Sequence, residues 1–364
     1  MSASLYEPIY YSVTALLSLL LIANYSMRNG ENNYEAHGKG ELFDWVIVIS
    51  CILFIGFRPL HGHFIDMMSY NIHYYAFWYG TPFEFRIDTE NLLFDNLFAF
   101  LGSLNLDIVV FFVIIACIYF GASYVGLKRL FPHNTTVAYL VFLAAFSTFS
   151  YGTNGIKAGS AASLFILALS YMNNLRICIP LIFISWGFHH SMQLPVAAFA
   201  LTLFCKNTKL YFYFWLVCLL VAIFHIDFFQ DLFANITDDK GSTYLMENDD
   251  DWGGKSGFRL DFVIYSAMPV VVYWWVVFKR KLQISKQYKC LIDIYLCTNG
   301  IWMLCMYAQF TNRIAYLSWF LYPIVLVYPI LNENWGKTRY RTFANIMLAH
   351  LAFTLFMYFV YYAK

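Results

Sequence analysis

Long apolar stretches recur from one end of the chain to the other, and short polar segments separate them. Most are close to the roughly 20 apolar residues that a helix needs to cross a bilayer. Between residues 157 and 205 three shorter runs follow one another, and helices of that length are expected to tilt or to re-enter only partly. The stretches predict twelve membrane-spanning helices, over 8–27, 42–57, 106–127, 136–152, 158–173, 177–188, 192–205, 210–229, 261–278, 290–310, 314–332 and 343–362.

The basic residues fall mostly in alternate loops between these runs, and the positive-inside rule places such loops in the cytoplasm. Both termini are then outside, and two long outer loops are predicted over 58–105 and 230–260, the second rich in acidic residues. Removing one of the three short spans would move Lys206 and Lys209 to the outer side, which supports the count of twelve. The predicted fold is therefore an all-α, polytopic membrane helix bundle forming a single integral domain over 1–364.

Composition agrees with a membrane protein and excludes other classes. Hydrophobic residues make up 60% of the chain and charged residues only 12%, too few for the surface of a soluble protein of this length. The net charge of +1 gives no electrostatic case for binding nucleic acid. The eight cysteines lie in or beside apolar runs without zinc-binding spacing, so we interpret them as buried hydrophobic residues.

Several ionisable residues lie near the predicted membrane boundary on the outer side. Charged groups are costly at that depth, and such residues usually mark a functional site, although an arginine at a helix end also commonly reaches to lipid head groups. Two arginines and a lysine suit an anionic substrate, while histidine and aspartate can act as a general base. The group comprises Arg58, Asp66, Lys157, His189, His190 and Arg313.

Four short motifs contain five of these residues in order along the chain. They are Arg58 with Gly62, Asp66 and Tyr70; Asn154 with Lys157; His189 with Ser191; and Arg313 with Ile314 and Tyr316. In this order the motifs resemble the EpsG family, a branch of the Wzy-like polysaccharide polymerases, over about residues 40 to 330. The chain departs from that family's pattern at Lys157, which replaces an arginine, and in the wider spacing of Gly62 and Asp66.

The resemblance implies a polymerase of oligosaccharide repeat units carried on undecaprenyl diphosphate. Enzymes of this kind transfer the glycan from one lipid carrier to a hydroxyl of a second lipid-linked unit, and build O-antigen, capsule or exopolysaccharide. The resemblance further implies a GT-C-like fold, no metal and no other cofactor. It places the protein in the bacterial cytoplasmic membrane, with the active site facing the periplasm or the exterior. Membrane lipid is a further expected partner. The resemblance leaves open whether a chain-length regulator is another.

Roles for the candidate residues follow from this reaction. Arg58, Lys157 and Arg313 are expected to bind the diphosphate and to stabilise the charge that develops on it. His189 is the first candidate for the general base, with Asp66 second and His190 third, and direct displacement would invert the anomeric centre. Further substrate contacts are expected from Asn154, Ser191, Tyr70 and Tyr316.

Three other functions compete with the polymerase. An O-antigen ligase would use the same chemistry with a different acceptor. A membrane O-acyltransferase would use histidines too, but would not need three cations on the outer face. A transporter or flippase would favour charges near the bilayer midplane and an internal repeat, and neither is seen in the sequence.

Overall fold

The computed structural model describes residues 1–27, 41–226, 228, 257–308 and 311–361. In these ranges the regular structure is entirely helical, without β-strands, which confirms the predicted all-α class. Most of the predicted acidic loop over 230–260 lies outside the described residues, which resume at position 257.

The chain divides into two compact units. The first unit comprises Met1–Gln193 and Ile330–Lys364, and the second unit comprises Leu194–Pro329. The sequence predicted a single integral membrane domain over 1–364. That domain refers to the chain inserted in a bilayer, and it stays a prediction.

The helices follow the predicted apolar runs closely. The first part of the chain forms α1 (Tyr6–Met27), α2 (Glu41–Gly56), α3 (Ile65–His73), α4 (Leu92–Ser103), α5 (Ile108–Ala116), α6 (Ala122–Leu130), α7 (Thr135–Leu143), α8 (Phe146–Thr153), α9 (Ile156–Leu169) and α10 (Leu175–Phe188). The remainder forms α11 (Gln193–Phe204), α12 (Thr208–Ile223), α13 (Leu260–Trp274), α14 (Lys286–Leu304), α15 (Thr311–Trp319), α16 (Tyr322–Asn332) and α17 (Arg339–Tyr361).

Fewer helices qualify as membrane spans than the sequence predicts. Five helical stretches of the described chain are long and apolar enough to cross a bilayer: Ala3–Met27, Ile108–Leu130, Leu260–Lys279, Thr311–Asn332 and Arg339–Val360. The pair α7 and α8 would add a sixth, although the two helices are bent by 73°. The three short runs between residues 157 and 205 form helices of 14, 14 and 12 residues. At 1.5 Å per residue these are shorter than the roughly 30 Å hydrocarbon core, and the total of twelve spans is not confirmed.

The predicted outer loop over 58–105 contains two of the helices. Here α3 continues into a π-helical turn, Tyr74–Trp78, and α4 covers most of the apolar stretch at the end of the loop. The rings of Phe94 and Phe98 on α4 lie 5.3 Å and 4.7 Å from that of Phe111 on α5. All three side chains are buried, so α4 is part of the packed core of the first unit.

Small residues bring the start of α9 close to its neighbours. A Cβ atom on Gly159 would lie 2.6 Å from the carbonyl oxygen of Tyr151, so only glycine allows this approach of α9 to α8. From α10, the hydroxyl of Ser185 donates a hydrogen bond of 2.7 Å to the carbonyl oxygen of Ala161. These contacts fix the position of the first turn of α9, which carries Lys157.

In the second unit a buried amide joins four helices. Asn299 on α14 accepts a hydrogen bond from the indole of Trp215 at 2.8 Å. Its amide group donates to the hydroxyls of Ser266 at 3.0 Å and Ser318 at 2.9 Å. The side chain of Asn299 thereby connects α12, α13, α14 and α15, with its oxygen and both amide hydrogens paired in a fully buried position.

Candidate functional site

A cleft of about 290 Å³ lies in the first unit, between α3 with its π-helical turn, the segment that precedes α4, α4 itself and the start of α9. Its wall combines aromatic rings with charged and amide side chains. The residues that line it are Tyr70, His73, Trp78, Arg86, Thr89, Glu90, Asn91, Phe94, Asp95, Asn96, Phe98, Ala99 and Lys157. Two of them, Tyr70 and Lys157, are site residues predicted from the sequence.

Lys157 projects from the first turn of α9 and forms an ion pair across the cleft. Its ammonium group lies 2.9 Å from Oδ1 of Asp95, and both side chains are about a quarter exposed. It also lies over the rings of Phe94 at 4.9 Å and Tyr70 at 5.9 Å, where cation–π attraction adds to the ion pair. Oδ2 of Asp95 accepts from the backbone N–H of Asn91 at 3.2 Å, and the N-terminal end of α4 further favours a carboxylate there.

A second cation, Arg86, also lines the cleft. Asn96 holds the backbone of Arg86, accepting from its N–H at 2.8 Å and donating to its carbonyl oxygen at 2.7 Å. The guanidinium lies 5.5 Å from the ring centre of Trp78 and 3.4 Å from the carboxylate of Asp88. The hydrogen bond from Arg86 lowers the pKa of Asp88, so this exposed carboxyl group is ionised at neutral pH. The charges of Arg86 and Lys157 are thus both balanced by a nearby acid.

The predicted histidine motif is joined to the same cleft through Asn91. The buried Oδ1 of Asn91 accepts from the backbone N–H of His190 at 3.1 Å and lies 3.3 Å from its Nδ1. In the neighbouring residue, Nδ1 of His189 accepts from the backbone N–H of Ser191 at 3.1 Å and is 2.5 Å from its hydroxyl oxygen. The two imidazole rings stack at 5.0 Å with an interplanar angle of 17°.

Arg58 is buried behind this region and connects two helix ends. Its guanidinium donates to the carbonyl oxygens of Ile55 at 2.8 Å and Thr153 at 2.9 Å, near the C-termini of α2 and α8. Burial lowers the pKa of Arg58 to about 10, which leaves it charged at neutral pH. Its Nε has no hydrogen-bond partner among the described residues. The structure therefore places Arg58 where it stabilises the junction that leads to Lys157; its predicted contact with a diphosphate stays a prediction.

The remaining predicted residues of the first unit lie around the same elements. Asp66 is half-buried in the first turn of α3 and does not line the cleft. Asn154 ends α8, and its buried Oδ1 has no hydrogen-bond partner in the part of the chain that is described. Three of the four sequence motifs are thus represented around the cleft and the α8–α9 junction behind it.

The fourth motif belongs to the second unit. Arg313 is exposed in the first turn of α15, and the ring of Tyr316 lies 5.3 Å from that of Trp319. Trp302 donates from its indole to the hydroxyl of Thr311 at 2.9 Å, which anchors the start of α15 to α14. The predicted contacts of Arg313 and Tyr316 with substrate stay predictions.

Sequence reasoning missed several residues that the structure places in the cleft wall. The most informative are Asn91 and Asp95, because they connect the cleft to His190 and to Lys157. Their spacing of four residues at the start of an apolar helix puts both on one helix face, which is a signal that the sequence contained. Arg86 had no comparable signal, since irregular backbone between α3 and α4 brings it next to Trp78.

No group of three or more histidine, cysteine, aspartate or glutamate side chains within the described ranges is arranged to hold a metal ion. His61 and His63 both make hydrogen bonds to neighbouring groups. Nε2 of His63 lies 2.8 Å from the carboxylate of Glu7, and Nδ1 of His61 accepts from the backbone N–H of His63 at 3.1 Å.

A sequence model of the EpsG family matches residues 41–364, nearly nine-tenths of the chain, and confirms the resemblance carried by the four motifs. No curated protein and no solved structure matches the chain.

Proposed function

Because the chain belongs to the EpsG family, we propose that it is a membrane glycosyltransferase that polymerises oligosaccharide repeat units carried on undecaprenyl diphosphate. Membership of the family indicates a role in polysaccharide biosynthesis at a membrane, and the apolar helices agree with that location. The proposed product is a surface polysaccharide such as O-antigen, capsule or exopolysaccharide. The enzyme would act in the bacterial cytoplasmic membrane, with its site on the outer side.

The observation that carries the proposal is the chemistry of the cleft. Trp78 and Tyr70 offer ring faces of the kind that pack against the C–H face of a sugar, while Glu90 and Asp95 offer carboxylate acceptors for hydroxyl groups. The volume of about 290 Å³ suits one or two sugar rings rather than a protein segment. Residues from three separate sequence motifs converge on it or on the helix junction behind it.

The proposed reaction forms a glycosidic bond and breaks a sugar–phosphate bond. The acceptor hydroxyl loses its proton and its oxygen bonds to the anomeric carbon, while the lipid diphosphate leaves with the electron pair. Direct displacement inverts the anomeric centre, and the protein's contribution is to position the two sugars and to offset the charge on the diphosphate. Lys157 and Arg313 are the proposed diphosphate ligands, and Arg58 holds the helix junction from which Lys157 projects.

Deletion of the gene in its host, followed by gel analysis of surface polysaccharide, tests this function. We expect the polysaccharide ladder to collapse to a single repeat unit and to be restored by the wild type. Lys157→Met should fail to restore the ladder, and Lys157→Arg should restore it, because arginine keeps the positive charge. Lys206→Met, outside the cleft, is the matched control and should restore it fully.

Other outcomes of the same experiment would contradict the proposal. Full-length polymer that is not attached to its final carrier would indicate a ligase. An unchanged ladder with altered acyl groups would indicate an O-acyltransferase.

A further inference from the structure

Asn91 has an amide orientation that is fixed by the backbone. The atom facing the N–H of His190 at 3.1 Å must be an acceptor, because a backbone N–H can only donate, so it is the carbonyl oxygen of the side chain. Asn91 is 4% exposed and immediately precedes α4. Its backbone N–H donates to Asp95, which further restrains its position.

The same oxygen determines which nitrogen of His190 carries the proton. Oδ1 of Asn91 lies 3.3 Å from Nδ1 of His190, and an acceptor oxygen there requires an N–H on the ring. In the neutral imidazole the lone pair is then on Nε2. His190 is therefore arranged with Nδ1 as donor to the protein and Nε2 as a base.

His189 has the opposite arrangement. Its Nδ1 accepts the backbone N–H of Ser191 at 3.1 Å, so that nitrogen bears the lone pair. In the neutral ring the proton is then on Nε2, which makes Nε2 of His189 a hydrogen-bond donor. A donor is suited to a phosphate oxygen and cannot accept the proton of a hydroxyl.

We propose that His190, held by Asn91 as a positioning residue, is the general base of the transfer, and that His189 donates a hydrogen bond to the leaving diphosphate. This inference rests on the proposed function and reverses the order expected from the sequence, which ranked His189 first. Nε2 of His190 takes the proton of the acceptor hydroxyl as its oxygen bonds to the anomeric carbon. The imidazolium then releases the proton to solvent, while Nε2–H of His189 stays protonated throughout.

Titratable groups lie next to His190 on its own segment, on α4, on α9 and in the segment before α4. His189 stacks on it, Asp95 and Lys157 neutralise each other on α4 and α9, and Glu90 adjoins Asn91 in the segment before α4. A carboxylate introduced at position 91 would stabilise a protonated ring at His190.

Matched glutamine substitutions distinguish the roles of the two histidines. The amide nitrogen of glutamine reproduces a donor at the position of Nε2, but glutamine cannot act as a base. His189→Gln should therefore keep polymerisation within about tenfold of the wild type, whereas His190→Gln should lose about 100-fold or more, the typical contribution of a general base. A larger loss in His189→Gln than in His190→Gln, with both proteins folded, would overturn the assignment.

Substitutions of Asn91 test its positioning role through the pH profile. Asn91→Asp keeps an acceptor for Nδ1–H and for the backbone N–H of His190, and should move the acidic limb of kcat upward by about one pH unit, because a nearby carboxylate raises the pKa of a histidine. Asn91→Ala should lower kcat with a smaller effect on KM. A merely structural role predicts loss of folded protein in Asn91→Ala and no shift of the limb in Asn91→Asp, and that result would contradict the proposal.

Nitrogen-15 NMR of histidine-labelled protein in lipid nanodiscs shows which ring nitrogen of each histidine is protonated, without any activity assay. Above the pKa of both rings, His190 should show a protonated Nδ1 and His189 a protonated Nε2, with signals assigned by the two glutamine variants. The opposite pair of tautomers would overturn the inference even if the protein polymerises. The predicted tautomers in a protein that forms no polymer would instead contradict the proposed function and leave the hydrogen-bond assignment standing.

Discussion

At the scale of single residues, the ion pair of Lys157 and Asp95 determines how strongly the cleft binds a negatively charged ligand. Asp95 neutralises Lys157 at 2.9 Å, and Arg86 faces Asp88, so the described cleft wall carries little net positive charge. A diphosphate that binds Lys157 has to compete with Asp95. The carboxylate therefore sets the affinity for the anion as well as the position of the ammonium group.

Removing the charge of Asp95 should strengthen anion binding. We expect Asp95→Asn to increase the affinity for inorganic pyrophosphate about threefold to tenfold, since a partly exposed ion pair is worth on the order of 1 kcal/mol. The asparagine oxygen still accepts from the backbone N–H of Asn91, so the start of α4 is preserved. Calorimetric titration of the protein in nanodiscs measures the change.

The matched variant for this titration is Lys157→Met. It should weaken pyrophosphate binding in the wild type, and in the double variant it should abolish the gain in affinity that Asp95→Asn causes. Pyrophosphate binding that is unaffected by Asp95→Asn and by Lys157→Met would show that the diphosphate does not bind at Lys157.

At the scale of elements, the junction between α8 and α9 positions the cation of the cleft. Arg58 binds the end of α8, Gly159 allows α9 to approach Tyr151, and Ser185 ties α10 to α9. The sequence predicted these helices from their apolar runs and placed Lys157 directly before the span predicted over 158–173. It did not show the 73° bend between α7 and α8 or the burial of Arg58, because both depend on packing between segments that are distant in sequence.

Gly159 provides a test of the α8–α9 contact. Gly159→Ala places a Cβ atom 2.6 Å from the carbonyl oxygen of Tyr151, a backbone atom that cannot move alone. We expect a loss of about 1 to 3 kcal/mol in stability and a displaced Lys157, as in other overpacked cores. Thermal unfolding in detergent, together with the polymerisation rate, measures both effects.

Gly121 is the control for this substitution. A Cβ atom there meets nothing within 4 Å, so Gly121→Ala should leave the stability and activity nearly unchanged. Equal effects of the two substitutions would mean that the α8–α9 approach does not depend on the glycine.

At the scale of the whole molecule, the apolar runs located most of the described helices, but the predicted number of twelve spans is not confirmed. A run of 14 residues such as α9 or α10 satisfies a hydropathy pattern without reaching across a bilayer. The predicted loop over 58–105 contains α3 and α4, and Phe94 and Phe98 of α4 pack on Phe111 of α5. Side-chain partners such as Asn91 for His190 required the folded structure.

Thiol labelling of intact cells tests the predicted orientation. In a background without native cysteines, Asp88→Cys should react with a membrane-impermeant maleimide from outside, because Asp88 is exposed beside the cleft. Lys206→Cys, in a predicted cytoplasmic loop, should react only after the cells are permeabilised. Labelling of Lys206→Cys in intact cells would show that one of the short helices between residues 157 and 205 does not cross the membrane.

The most direct measurement of the central claim is polymerisation by the purified protein in nanodiscs, supplied only with a lipid-linked repeat unit from its own host. The account predicts a ladder of products that lengthens with time and releases one undecaprenyl diphosphate for each bond formed, with Lys157→Met and His190→Gln inactive and Lys206→Met active. A folded wild-type protein that releases no lipid diphosphate and lengthens no glycan under these conditions would contradict it.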